Sequence, residues 1–297
     1  MLNSLKSVIL HLRIPFSWFL LPIFLGVLCI SPNFDDKRLG LVFLILHFLV
    51  YPAANAFNSY FDKDEKSIGG LKNPPPVNIG LFYTALILDL LAIWLALKIS
   101  IWFAGCVLIY SAASRMYSHP SVRLKKYPVT GWLFTSFFQG YFTVCAAYLG
   151  LNGYEPWNLL SAKVQLMGVI FTLLLMAVYP LTQVYQHEED ERRGDMTMSR
   201  KLGIRNTFVL SFIFFTVTVA AFVLYLSKFL FVPEIMLFLA SLLPSALFLI
   251  YWYRRVFVDP TYAKYSWVMW FNMIAATGMN YYFFKSFLVN THVLQVF

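Results

Sequence analysis

Three short stretches of this 297-residue chain combine oxygen ligands and cations at spacings that can do chemistry. The first reads Asn55-Ala-Phe-Asn58-Ser-Tyr-Phe-Asp62-Lys-Asp64-Glu65. Positions 55, 58 and 62 are three and four residues apart, so on a helix they share one face. Amides and carboxylates on one face are ligands for a hard cation. Magnesium usually takes one or two protein carboxylates and completes its shell with water and phosphate oxygens. The second stretch runs Gln183-Val-Tyr-Gln186-His187-Glu188-Glu189-Asp190-Glu191-Arg192-Arg193-Gly194-Asp195, and Gln183, Gln186 and Asp190 repeat the same spacing. The third lies between them and carries Arg115, Tyr117, Ser118, Arg123, Lys125 and Lys126. Its four cations with hydroxyl neighbours suit the oxygens of a diphosphate. Each stretch also has a plainer reading. The first is then a solvated loop rich in turns, leading into Gly69-Gly70 and Pro74-Pro75-Pro76. The second is a salt-bridged loop beside a membrane, and the third a basic loop touching anionic lipid.

The elements that must position these stretches follow from composition. The chain is 60% hydrophobic and 12% charged, whereas soluble domains are about half apolar and about a quarter charged. Its apolar residues fall in long blocks, which excludes a soluble globular fold, a disordered chain, a disulfide scaffold and a nucleic-acid-binding module. Blocks of about 17–25 residues are what a spanning helix needs. They occur near residues 14–30, 39–57, 79–98, 101–117, 130–150, 164–186, 207–227, 235–253 and 266–289. The expectation is an all-α, polytopic membrane bundle of about nine transmembrane helices, forming a single domain over residues 1–297. Pro22, Pro52, Pro180 and Pro244 fall in or near helix ends, where they bend helices. Lys6 and Arg13 before the first block resemble a signal peptide, but no small-residue cleavage site follows, and the block reads as a retained helix. Cys29, Cys106 and Cys145 lie inside apolar blocks and carry no disulfide or zinc pattern.

Charge sets the orientation. With the N-terminus and the loops after even-numbered helices on one side, that side holds seventeen of the 23 lysines and arginines and the other side six. The positive-inside rule then makes the N-terminus cytoplasmic and the C-terminus external, which an odd helix number requires. The formal charge of +9 is therefore mainly topological. Eight of the 14 acids crowd into the loops after helices 2 and 6, on that same face. A bundle can bring these two loops together across one cavity.

Asn58-xxx-Asp62, the Tyr117-Ser118-x-Pro120-xx-Arg123-Leu-Lys125 loop and Glu188-Glu189-Asp190-xxx-Gly194-xx-Thr197, in this order on helices 2, 4 and 6, resemble the motifs of the UbiA superfamily of intramembrane prenyltransferases. The resemblance covers the whole chain in helix number, motif order and orientation. It implies a Mg2+ cofactor, a prenyl diphosphate and a lipophilic acceptor, aromatic or a quinone precursor, in a multi-pass protein of a bacterial plasma membrane. It further implies metal ligation by Asn58, Asp62, Asp64, Glu65, Gln186, Glu189 and Asp190, with Asp62 and Asp190 central to catalysis. Diphosphate contacts fall to Asn58, Tyr117, Ser118, Arg123, Lys125 and Lys126. Two positions depart from the family pattern: Lys66 and Gln186 stand where acids are usual. They leave open a terpene cyclase of the same superfamily. A transporter is the alternative of a different class, disfavoured because the acids gather at one face rather than at mid-membrane.

Other polar groups lie inside the apolar blocks. Asp89, midway along the third block, is by default a functional candidate, with a hydrogen-bonded interhelical carboxyl as the alternative. His47 and Asn272 read as satisfied interhelical groups, and His187 as a further phosphate contact.

Overall fold

The computed structural model describes residues 2–229 and 232–290. Among them there is no strand, only an isolated bridge between Ile68 and Leu71. The chain opens with α1 (Leu2–Leu12), a tight 3-10 turn over Ile14–Phe19, and α2 (Leu21–Cys29). Then come α3 (Asp36–Asp62), α4 (Ile79–Leu97) and α5 (Ile101–Ser118). Next are α6 (residues 128–152), α7 (Ala162–Thr182), and the short α8 (His187–Arg192) and α9 (Met198–Leu202). Three long helices finish the chain: α10 (Ile204–Phe229), α11 (Val232–Val258) and α12 (Tyr265–Asn290).

Local chemistry sets these boundaries. Asp35, Asn78 and Ser100 cap α3, α4 and α5 by accepting from Arg38 N, Gly80 N and Phe103 N. Lys63, in the left-handed region at φ 52°, ends α3 one residue after Asp62. Both α3 and α6 contain a wide π turn, at Ile45–Val50 and Phe138–Phe142 respectively. Such turns insert a residue into the helical ladder and frequently occur at functional sites.

Helical structure occupies every apolar block expected to span. Five helices, α3, α4, α7, α10 and α11, are long and apolar enough to cross a membrane, and a sixth if α1 with its 3-10 turn and α2, bent by 43°, form one span. The others are interrupted by polar side chains, such as Ser111 and Arg115 in α5 or Asn272 and Asn280 in α12. The expected position of the C-terminus falls on residues 291–297, outside the described residues.

Helix α7 packs on α10, α10 on α11, α11 on α12, and α12 back on α2, which also touches α6. The chain thus closes into a ring. Small residues allow the closest approaches, as is usual between helices in lipid. A Cβ on Gly140 of α6 would lie 2.6 Å from Thr172 Cα of α7, and one on Gly278 of α12 would collide with the Ser241 carbonyl of α11. The outward faces carry exposed apolar side chains such as Leu90, Leu224 and Trp270.

Candidate active site

The last turn of α3 delivers Asn58 and Asp62 to one end of the ring. Asn58 Nδ2 donates to Ser118 Oγ at the end of α5 (3.0 Å). Asp62, 7% exposed, receives the Lys125 ammonium and lies 3.5 Å from an Arg123 nitrogen. Lys125 itself is buried, in a 3-10 turn that follows Arg123 at φ 43°. The bend is packed against Gly131, whose missing side chain leaves room for the Leu124 carbonyl.

The second acidic stretch folds over the same point. Asp195, fully buried, holds the Arg123 guanidinium in a two-point fork (2.8 Å each) and lies 3.4 Å from Lys125 Nζ. Its backbone N–H donates to the Asp190 carbonyl (2.8 Å), and its own carbonyl accepts from Arg200 (2.7 Å). Asp190 accepts from Thr197 Oγ1 (3.1 Å) and makes no ion pair among the described residues. Burial, only partly offset by nearby Lys125, pushes its carboxyl up to about 7. Asp64 is raised too, by burial and by Asp62, although Arg193 bonds it at 2.6 Å.

Asn58, Asp62, Asp64, Tyr117, Ser118, Lys125, Gln186 and Asp190 all line one polar cavity of about 220 Å³. Four expected site residues stand outside its lining. Glu189 pairs with Arg193 and accepts from Lys66 N (3.1 Å). Glu65 is exposed, 4.0 Å from Arg192. Arg123 is spent between Asp195 and Asp62, and the Lys126 ammonium lies over the Tyr127 ring, 5.0 Å from its centre. Lys66, one of the two departures, pairs with Glu188 and so ties the first acidic loop to the second.

Arg13 also lines the polar cavity, from the junction of α1 and the 3-10 turn. It bonds the carbonyls of Gly69 (3.1 Å) and Asn55 (3.2 Å), leaving its Nε buried without a partner. In sequence it figures only as a cation before the first apolar block and in the topological charge balance, not among the site residues. Tyr179 of α7 shares a hydroxyl–hydroxyl hydrogen bond with Tyr117.

The remaining polar expectations resolve differently. Asp89 is paired with Arg115 and accepts from Ser111 (2.9 Å), so it is the interhelical carboxyl rather than a free functional group. His187 bonds Ser199 Oγ (2.8 Å) outside the cavity lining, and burial with Arg200 lowers its proton affinity. His47 is not fully satisfied: it stacks on Phe43 (4.6 Å), and its Nε2 has no hydrogen-bond partner. Asn272 makes no side-chain hydrogen bond among the described residues, and it lines a cavity instead of contacting a neighbouring helix's polar group.

The polar cavity opens into an apolar one of about 640 Å³ at the centre of the ring. Asn55, Tyr110, Gln139 and Tyr179 line both. This is a charged mouth joined to a greasy chamber. The sequence profile of the UbiA prenyltransferase family matches residues 19–274. The chain belongs to this family. No curated protein sequence matches it. Among solved structures, a UbiA homolog from Archaeoglobus fulgidus bound to DMAPP and Mg2+ is similar in fold, with 18% identity and a TM-score of 0.64 over 95% of this chain and 99% of that one. The same homolog bound to GPP and Mg2+ gives 17% identity and 0.63 over 95% and 99%. A digeranylgeranylglyceryl phosphate synthase gives 20% and 0.61 over 97% and 99%. Within this UbiA architecture, no three acids or histidines among the described residues cluster to ligate an ion unaided. A hard divalent cation still fits the donors present. It needs few carboxylates when phosphate oxygens complete its shell, and Asp190 is a buried carboxylate with no cation against it.

Proposed function

We infer that this UbiA family member is a membrane prenyltransferase that moves a prenyl group from a prenyl diphosphate to a lipophilic acceptor, aromatic or a quinone precursor. One observation carries the reading: carboxylates from two loops remote in sequence line one polar cavity that opens into a large apolar chamber. The solved homologs holding GPP or DMAPP with Mg2+ support both the substrate class and the metal.

Asn58, Asp62, Asp64, Gln186 and Asp190 would hold Mg2+ at the cavity wall; Glu65 and Glu189 would have to leave their arginine partners to join them. The ion supplies Lewis-acid neutralisation of phosphate charge. Lys125, buried and fixed by Asp62 and Asp195, adds positive charge where the leaving group gains negative charge. The paired Tyr117 and Tyr179 hydroxyls and Ser118 offer donors to its oxygens. The bond between prenyl C1 and the diphosphate oxygen breaks, and its electron pair leaves with pyrophosphate. The acceptor's nucleophilic atom bonds C1 and releases a proton to the medium. Aromatic walls such as Tyr110 and Phe215 shelter the allylic cation from water and face it with electron-rich rings.

We further propose a topology of about nine crossings, with the N-terminus and the Asp62, Lys125 and Asp190 end cytoplasmic. The uneven lysine and arginine distribution supports it.

The test is pyrophosphate release by the purified protein, given Mg2+ and prenyl diphosphates of several lengths with and without phenolic acceptors. Acceptor-dependent release is expected, lost in Asp62→Ala and Asp190→Ala. Release without acceptor, yielding a cyclic product, would make the chain a terpene cyclase. No release with any prenyl diphosphate would sink the reading.

A further inference from the structure

The apolar chamber contains two carboxamides that the reading above does not use. Asn272 of α12 is 5% exposed, lines the chamber, and makes no side-chain hydrogen bond among the described residues. Gln139 lies in the π turn of α6, lines both cavities at their junction, and is equally without a side-chain partner there. The threonines of the chamber and Ser245 behave differently. Thr218 donates to Phe214 O (2.7 Å), Ser245 to Leu242 O (2.7 Å) and Thr216 to Phe212 O (2.9 Å), each within its own helix.

A carboxamide offers two donors and an acceptor, and the amides of both residues are open to the cavity rather than sealed in the packing. A prenyl tail has nothing to give them. The position of Asn272 is also telling. Tyr185, which lines the polar cavity, contacts Tyr265 at the start of α12 with ring centres 5.5 Å apart. Asn272 follows seven residues later, about 10 Å along the helix at 1.5 Å per residue. It sits in the half of the chamber nearer the diphosphate end, where an acceptor must lie to reach prenyl C1.

Charge narrows the ligand further. Among the described residues lining the apolar chamber there is no Asp, Glu, Lys, Arg or His. Of the cations in the polar cavity, Lys125 is ion-paired with Asp62 and Asp195, Arg193 with Asp64 and Glu189, and Arg13 is held on the Gly69 and Asn55 carbonyls. None of them lines the chamber, so a carboxylate lodged there would have no cation beside it.

We propose that Gln139 and Asn272 form the polar half of the acceptor site, and that the acceptor is an uncharged lipid bearing hydroxyl or carbonyl groups rather than an anionic one. The proposal rests on the prenyltransferase reading for the word acceptor, but the binding site stands on its own geometry. Gln139, at the junction, holds the group that faces prenyl C1. Asn272 holds a second polar group further in, and the surrounding phenylalanines take the hydrocarbon.

The test is direct binding to the full chain in lipid nanodiscs. The probes are octyl 4-hydroxybenzoate, which carries a phenol and an ester carbonyl, and 4-octyloxybenzoate, with the same ring and chain length but a carboxylate. The neutral ester is expected to bind and the carboxylate to bind at least about tenfold more weakly. Asn272→Leu and Gln139→Leu should each weaken ester binding by roughly five- to tenfold, as expected for one lost hydrogen bond, and Asn272→Gln should recover part of it. Thermal unfolding of each variant identifies any that has failed to fold. Equal affinity for the two probes, or unchanged ester affinity in both folded leucine variants, would overturn the proposal. GPP binding with Mg2+, measured on the same preparations, reports the donor site: its absence with ester binding intact would refute the prenyltransferase reading and leave the neutral-ligand site standing.

Discussion

Asp62 and Asp190 differ in what surrounds them, and that difference governs how each should respond to substitution. Asp62 is neutralised by Lys125 and Arg123, whereas Asp190 has only the Thr197 hydroxyl in direct contact. Lys125→Met should therefore do double damage: it removes fixed positive charge from the proposed diphosphate site and leaves Asp62 without its nearest cation. A fall of about 10²–10³ in the rate of pyrophosphate release is the expected outcome, the size typical of losing one preorganised electrostatic contact. Lys66→Ala should behave in the opposite way. Its side chain is 51% exposed and that of Glu188 72%, so solvent screens the pair. The thermal midpoint should hardly move, while Arg193→Ala, which strands the buried Asp64 and Glu189 carboxylates, should lower it clearly. At this scale the sequence was legible where spacing carried the signal: Asn58 and Asp62, four residues apart on α3, fall on one cavity, while Asp190 joins them from α8, which begins only at His187 after a turn through Gln183 and Gln186. It was not legible for Arg13, Asp195 or Lys126. Which cation faces the cavity depends on left-handed turns at Arg13 and Arg123 and on burial, and neither leaves a periodic trace.

Between neighbouring helices, one ion pair fixes the frame on which the turn carrying Asn58 and Asp62 is built. Asp89 on α4 pairs with Arg115 on α5, and Arg115 lies 4.0 Å over the Phe57 ring of α3. Three helices thus meet at one guanidinium, a turn and a half before Asp62. Removing one member of such a buried pair commonly costs about 3–5 kcal/mol because the other charge stays behind. Asp89→Leu should lower the midpoint of thermal unfolding accordingly, and Asp89→Leu combined with Arg115→Met should recover much of the loss. If the double variant is no better than the single one, the pair is not what stabilises this corner. The apolar blocks made the helices themselves plain in the sequence. Their interruptions were not, because the π turns at Ile45–Val50 and Phe138–Phe142 arise from packing and carry no proline to announce them.

For the whole molecule, the dimension that matters is the volume of the central chamber. Ala246 and Ala276 line it from α11 and α12, where a larger side chain would project inward. Ala276→Phe should suppress pyrophosphate release from long prenyl diphosphates far more than from DMAPP, measured as the ratio of kcat/KM for the two substrates. Equal suppression at every length would mean that the tail lies elsewhere. No sequence period could reveal this chamber, since its walls come from residues spread between Phe16 and Met279. The ring around it closes where α12 meets α2 and the 3-10 turn before it, with Trp18 of that turn donating to Thr277 Oγ1 (3.4 Å) and Asn280 to the Trp18 carbonyl (3.4 Å). That seam joins α2 to α12, more than two hundred residues later in the chain. The acidic and basic loops can therefore assemble while the chamber still lies open on one side. Before α12 inserts, the nascent chain lacks one wall of the chamber.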